Sequence, residues 1–220
     1  MSTVVITGAN RGIGLELARQ FHARNDSVIA VCRASNEALD KLGVRVEAGI
    51  DVSDEASVKT LSERLSGVSV DILVNNAGVL SPDALPSIDF TEVQRQFVVN
   101  AIGPVRVTHA LLACLSRGSK VAIITSRMGS IADNSSGGMY GYRMSKAAVN
   151  AAGKSLALDL QSQGIAVQLL HPGFVQTDMT GGNGQITPDV SAANLISRID
   201  ELDINATGTF RHANGEALPW

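Results

Sequence analysis

Residues 7–14 read T-G-A-N-R-G-I-G, from Thr7 to Gly14, directly after the apolar run Val4 to Thr7 and at the head of a stretch of helical period, Leu15, Leu17, Ala18 and Phe21. A strand that runs through a glycine-rich turn into a helix leaves the first amides of that helix unpaired and pointing at the turn, where they favour an anion. The spacing assigns each glycine a task. Gly8 permits the tight turn, Gly12 lets the backbone approach a pyrophosphate, and Gly14 allows the helix to pack closely. A glycine-rich βα turn without function remains the bland alternative, but the strand-turn-helix context favours nucleotide binding.

Working outward, apolar runs recur at Val28 to Val31, Val70 to Val74, Val121 to Thr125 and Ala166 to Leu170. Short continuous runs of this kind are strands covered on both faces, as in a parallel sheet. Helical periodicity separates them, as at Val58, Leu61 and Leu65. The alternation predicts an α/β fold, a doubly wound parallel β-sheet with helices on both faces, in a single domain over residues 1–220. Thr91 to Leu115 is long for one helix and predicts a break at Gly103-Pro104. A further helix is expected from Tyr142 to Ser162. Thr177 to Thr187, T-D-M-T-G-G-N-G-Q-I-T, predicts a mobile lid, because its Gly and Asn residues lose much backbone entropy on ordering.

Composition narrows the function. Among 220 residues, 45% are hydrophobic and 18% charged, which argues against disorder, and a net charge of −3 without a basic run argues against nucleic acid. No apolar run is long enough to span a bilayer and none has a leader's pattern, so a cytoplasmic protein with no membrane partner is expected. Two cysteines, Cys32 and Cys114, and four scattered histidines provide neither a disulfide framework nor a metal site. Asn205-Ala-Thr207 matches a glycosylation sequon, without consequence in the cytoplasm.

The second strand bears on cofactor choice. An acid at its end binds a ribose 2′-hydroxyl, whereas an arginine accommodates a 2′-phosphate. Here the strand ends in Cys32-Arg33, with Arg11 inside the glycine turn, and the pair points to NADP(H). Of the two tyrosines, Tyr142 has Lys146 at i+4, so ammonium and phenol share a helix face and the phenolate is favoured; Tyr140 has Met144 there. A tyrosine near pKa 10 needs roughly 4 kcal/mol of such help to act at neutral pH.

This combination resembles the short-chain dehydrogenase/reductase family. Besides the T-G-x-x-x-G-x-G turn, the chain is similar to that family in N-N-A-G at Asn75 to Gly78 and in Asn100 within V-N-A-I-G-P. The likeness continues through a serine ending the fifth strand, Y-x-x-x-K at Tyr142 to Lys146 and P-G-x-x-x-T at Pro172 to Thr177. The closing G-T-F-R-H-A-N-G-E-A-L-P-W looks like that of compact carbonyl-reductase-like and C-factor-like members. The resemblance implies a Rossmann fold and an NADP(H)-dependent oxidoreductase acting on a small carbonyl or alcohol, with catalytic Asn100, Ser126, Tyr142 and Lys146. Ser130 competes with Ser126, which ends the apolar strand directly and is preferred.

Implied contacts to the adenosine and phosphates are Gly8, Asn10, Arg11, Gly12, Ile13, Gly14, Arg33, Asp51, Val52, Asn76, Ala77 and Gly78. Toward the nicotinamide they are Tyr142, Lys146, Pro172, Gly173, Val175 and Thr177. Two long helices, the second lined by Ala147, Ala148, Ala151 and Ala152, lead to the expectation of a homodimer. A cofactor-sensing or signalling protein of the same fold is the alternative function.

Overall fold

The computed structural model describes residues 1–220. Seven strands form one parallel sheet: β1 (Thr3–Thr7), β2 (Ser27–Val31), β3 (Arg45–Glu47), β4 (Val70–Asn75), β5 (Leu115–Ile124), β6 (Ala166–His171) and β7 (Thr209–His212), in spatial order β3-β2-β1-β4-β5-β6-β7. The order reverses between β1 and β4, which pair from Val4 with Ile72 to Ile6 with Val74. The crevice beyond the carboxyl ends of those two strands is where a doubly wound sheet binds ligands.

Helices cover both faces, and alternate strand residues feed each side. On one face Val4, Ile6, Val28 and Ala30 pack with Leu17, Ala18 and Phe21 of α1 (Gly12–Ala23), Leu39 of α2 (Glu37–Asp40) and Leu195 and Ile199 of α7 (Pro188–Glu201). On the other, Val5, Ile29, Leu73 and Ile123 meet Val58 and Leu61 of α3 (Glu55–Arg64), Val107 of α5 (Gly103–Ala110) and Val149 and Ala157 of α6 (Tyr140–Gln161). No helix is long and apolar enough to cross a membrane.

Several boundaries differ from expectation. The region after Thr91 is not one helix: α4 (Phe90–Phe97) runs into a π-helical turn, Val98–Ile102, and then into α5. The backbone stays right-handed helical from Phe97 through Gly103, so Gly103-Pro104 does not interrupt the chain's helical course; the distortion is the π turn just before it, around Asn100. Leu115 belongs to β5, which starts with a bulge: pairing shifts between Val70 and Ile72, and Ser119 Oγ donates to Val70 O. β3 and β7 are additional strands, each at a sheet edge and too short and polar to register as apolar runs.

Candidate active site

The glycine turn is built as its residues require. Gly8 and Gly12 have φ of 68° and 52°, in the region that favours glycine. A Cβ on Gly8 would stand 2.9 Å from Ala77 Cα, and one on Gly14 would stand 2.2 Å from Gly8 O. Gly8 is thus needed for contact with the segment after β4 as well as for the turn itself. Asn76 Nδ2 donates to Thr7 O and Gly8 O, while Thr7 Oγ1 accepts from the amides of Asn76 and Ala77. Asn10 Nδ2 donates to Ala34 O, anchoring the turn to the chain beyond β2. The first turn of α1 carries no acidic residue to occupy its amides. A glycine-rich turn with its helix amides left unoccupied is suited to a diphosphate.

A cleft of about 450 Å³ opens from the turn across the β1/β4 crevice. It brings together Gly8, Asn10, Arg11, Gly12, Ile13, Gly14, Arg33, Asp51, Val52, Asn76, Ala77, Gly78 and Thr177, all of them expected from the sequence. Cys32, Ser53, Val79, Arg95, Val99 and Met179 also line it, and the residue patterns did not single them out as contacts. Ser53 had a local signal, D-x-S, the spacing of an Asx turn. Indeed Asp51 Oδ1 accepts from both the amide and the hydroxyl of Ser53. Burial opposes the Asp51 carboxylate, but Ser53 and the Arg33 guanidinium outweigh it and hold its pKa below the usual range. Arg33 Nη1 is 4.0 Å from Asp51 and Arg11 Nη1 3.6 Å from Asp178, and the arginine side chains are 69% and 63% exposed. Pairs this loose and wet are worth little, so both guanidiniums are available to a phosphate.

Asn100, Ser126, Tyr142, Lys146, Pro172, Gly173 and Val175 are not among the residues that line the cleft. Gly78 joins the two regions, since a Cβ there would be 3.3 Å from Asn100 Oδ1 and 3.8 Å from Lys146 Nζ. Tyr142 and Lys146 lie on α6, Ser126 follows β5, and all three are buried. Ser126 Oγ accepts from Met128 N at 3.1 Å, and its own proton is the one turned toward the Tyr142 phenol. Ser130 instead donates to Trp220 O and accepts from Asp133 N, which ties it to loop architecture and favours Ser126 for the site. Gly129 makes the approach of this loop possible, because a Cβ there would fall 2.6 Å from the Lys146 carbonyl carbon.

The electrostatics depart from the simple i,i+4 picture. Burial pushes the Tyr142 phenol up to about 12, against a lowering hydrogen bond from Ser126. Burial also brings Lys146 down to about 8. Lys146 Nζ lies 5.7 Å from the centre of the Tyr142 ring and donates to Ile124 O. Desolvation of both groups outweighs their shared face, and the phenol stays protonated. Asn100 is fully engaged: its Oδ1 accepts from Val79 N, and its Nδ2 donates to Val79 O and Ser145 Oγ. Ser145 Oγ donates in turn to Tyr142 O.

The expected mobile lid over Thr177 to Thr187 is instead a folded loop. Thr180 Oγ1 accepts from Thr177 N and donates to Val175 O, and Gly182 N donates to Thr177 O. Val175 pairs with Ile186 in an isolated bridge, and Gln176 Nε2 donates to Gly184 O. The glycines take the positive φ values that close these turns, at Gly181 and Gly182, so the entropy lost is offset by hydrogen bonds. Val175 is buried in this bridge, and Gly173, with φ 93°, packs against Ile186.

Known proteins share this sequence pattern and this fold. The model of the short chain dehydrogenase family matches residues 2–186. The 1-hydroxy-2-glutathionyl-2-methyl-3-butene dehydrogenase of Rhodococcus sp. (strain AD45) is 44% identical over 226 aligned positions, covering 100% of both chains. The C-signal of Myxococcus xanthus is 46% identical over 154, covering 69% of this chain and 93% of its own. The crystal structure of NADPH-bound carbonyl reductase from chicken fatty liver superposes with a TM-score of 0.90 at 28% identity, covering 100% of this chain and 99% of that one. The chain belongs to the short-chain dehydrogenase family and has its Rossmann-type fold.

Proposed function

We propose that this short-chain dehydrogenase is an NADP(H)-dependent oxidoreductase of the carbonyl reductase type, interconverting a small carbonyl compound and its alcohol, with Tyr142 as the acid/base. The observation that carries the reading is the placement of the Tyr142 phenol, the Ser126 hydroxyl and the Lys146 amine together, with Lys146 next to Gly78 of the cleft. The glycine turn and the start of α1 hold the pyrophosphate, and Arg33 with Arg11 holds the 2′-phosphate. When bound, the reduced nicotinamide supplies the hydride to the carbonyl carbon.

The chain's own residues manage the proton. Ser126 donates a hydrogen bond to the carbonyl oxygen with the proton it otherwise turns toward the Tyr142 phenol. Tyr142 then gives its proton to that oxygen. A phenol held at about 12 is protonated at neutral pH, which suits reduction better than oxidation. Lys146 keeps two N–H groups beyond the one bonded to Ile124 O, enough to orient the ribose and return a proton. With its side chain committed to Val79 and Ser145, Asn100 has only its backbone carbonyl, in the π turn, for a water-linked relay. Residues 1–220 act as one NADP(H)-binding unit in the cytoplasm, as a homodimer that covers exposed Leu158 of α6, Phe97 of α4 and Ile102 of the π turn.

A second reading, a signalling protein that binds the cofactor without turnover, has the 46% identity to the C-signal in its favour. Turnover separates the two. NADPH oxidation across aldehydes, ketones and quinones, and NADP⁺ reduction with a glutathionyl alcohol, should find substrates that Tyr142→Phe cannot use while still binding NADPH. Tyr140→Phe serves as the matched control. An inactive wild type that binds NADPH, or an active Tyr142→Phe, overturns the enzyme reading or the Tyr142 assignment respectively.

A further inference from the structure

The helix that carries Tyr142 begins without a cap of its own. Met139 precedes it in a left-handed conformation, φ 54° and ψ 42°, and its side chain accepts nothing from the first turn. Those amides are held by one residue 57 positions away: Asp83 Oδ1 accepts from Tyr140 N at 2.5 Å, and Oδ2 accepts from Gly141 N at 2.8 Å. The Asp83 backbone oxygen accepts from Met139 N at 3.0 Å. Three consecutive amides leading up to Tyr142 are therefore fixed by a single aspartate, and a carboxylate at a helix N-terminus suits both the donors and the dipole.

Asp83 is itself held in place. The extended segment after Gly78 is pegged at alternate residues by two side-chain amides four positions apart. Asn100 bonds both the N–H and the C=O of Val79, and Gln96, fully buried on α4, bonds both those of Ser81. The next alternate residue is Asp83. Gly141 leaves room for this arrangement, since a Cβ there would lie 2.6 Å from Gln96 Nε2 and 3.2 Å from Asp83 Oδ2.

From this geometry we infer that Asp83, seated through Ser81 by Gln96, is a positioning residue that sets the first turn of α6 and so aims the Tyr142 hydroxyl. The inference rests on the reading of Tyr142 as proton donor. Misplacing a reacting group by about 1 Å can cost roughly a hundredfold in rate. Asp83→Asn is nearly isosteric but turns one acceptor into a donor facing an amide. Per cofactor-binding site, it should lower kcat for NADPH-driven carbonyl reduction roughly ten- to a hundredfold, at an NADPH Kd within about twofold. It should also enlarge the solvent deuterium isotope effect on kcat as proton transfer becomes limiting. Gly141→Ala, which displaces the same contacts from the other side, should give the same signature. Asp54→Asn removes a carboxylate cap of like chemistry from α3 and should leave kcat and the isotope effect unchanged. Wild-type kcat per site in Asp83→Asn, or a loss of activity with no change in isotope effect, overturns the inference. If Tyr142→Phe is itself active, the Tyr142 reading fails first; if it is inactive while Asp83→Asn is not, Asp83 alone is wrongly assigned.

Discussion

The Lys146 amine gives its hydrogen bond to the Ile124 carbonyl at 2.9 Å and stands 5.7 Å from the centre of the Tyr142 ring. The protein thus buries a cation next to a phenol without letting it bond to that phenol. Keeping Lys146 there has a thermodynamic cost that can be measured.

Burial lowers Lys146 from 10.5 to about 8, so below pH 8 both folded and unfolded chains carry the charge and the folded one bears the penalty. Between pH 8 and 10.5 the unfolded chain binds more protons, and stability rises through that window as the penalty is relieved. Lys146→Met should therefore be inactive yet more stable than wild type at pH 7, by up to about 3 kcal/mol, with the gain shrinking toward pH 10.5. Urea titrations at pH 7 and 10 check it. The rate of carbonyl reduction should also decline above pH 8 as Lys146 loses its charge.

His171, at the end of β6, is brought down to about 3 by burial, aided by repulsion from His212, Arg127 and Lys146. It folds neutral, whereas the unfolded chain takes a proton below pH 6.5, so stability present at pH 7 is lost as pH falls from 6.5 toward 3. Between pH 7 and 5 the loss from this one group is about 2 kcal/mol. His171→Phe should flatten that part of the acid limb, measured as the change in Tm between the two pH values.

At the adenosine end, the exposed guanidinium of Arg33 and the absence of an acid at Cys32 should give a preference for NADPH over NADH of roughly ten- to a hundredfold in Kd. Cys32→Asp with Arg33→Ala should remove or reverse it. Equal Kd values for the two cofactors in the wild type contradict the assignment.

The loop over Thr177–Thr187 offers a steric test. A Cβ at Gly184 would lie 2.4 Å from Gln176 N, a backbone atom that cannot give way. Gly184→Ala should break the Val175–Ile186 bridge, making the loop sensitive to proteolysis and raising KM for the carbonyl substrate, with little change in global Tm. An unaltered cleavage pattern would show that the loop is held by other contacts.

How much of this was readable beforehand follows from where each interaction lies along the chain. The five apolar runs mark β1, β2, β4, β5 and β6 because burial on both faces demands continuous hydrophobicity. Arg45–Glu47 and Thr209–His212 pair along one edge only, and their side chains carry no such pattern. The glycine turn was legible because glycine alone tolerates its dihedrals and close approaches. The role of Asp83 was not, since its partners lie 57 and 58 residues further on. The direction of the Tyr142 shift is illegible in the sequence for a related reason: i,i+4 spacing reports a neighbour, while desolvation depends on everything packed around it. The Gly and Asn of residues 181–184 suggested mobility from composition, but those same residues are what tight turns use.

The placement of β1 between β2 and β4 has a consequence for synthesis. Val4, Val5 and Ile6 leave the ribosome before the rest of the sheet, yet one of their two pairing edges belongs to Ile72, Leu73 and Val74, some seventy residues later. Until those are made, β1 can pair only with β2, and the turn at Gly8 lacks the Asn76 amide that engages its carbonyls. A nascent chain halted before β4 therefore carries an open, apolar strand edge of the kind that aggregates. The glycine turn is braced from both of its sides only when Asn76 arrives.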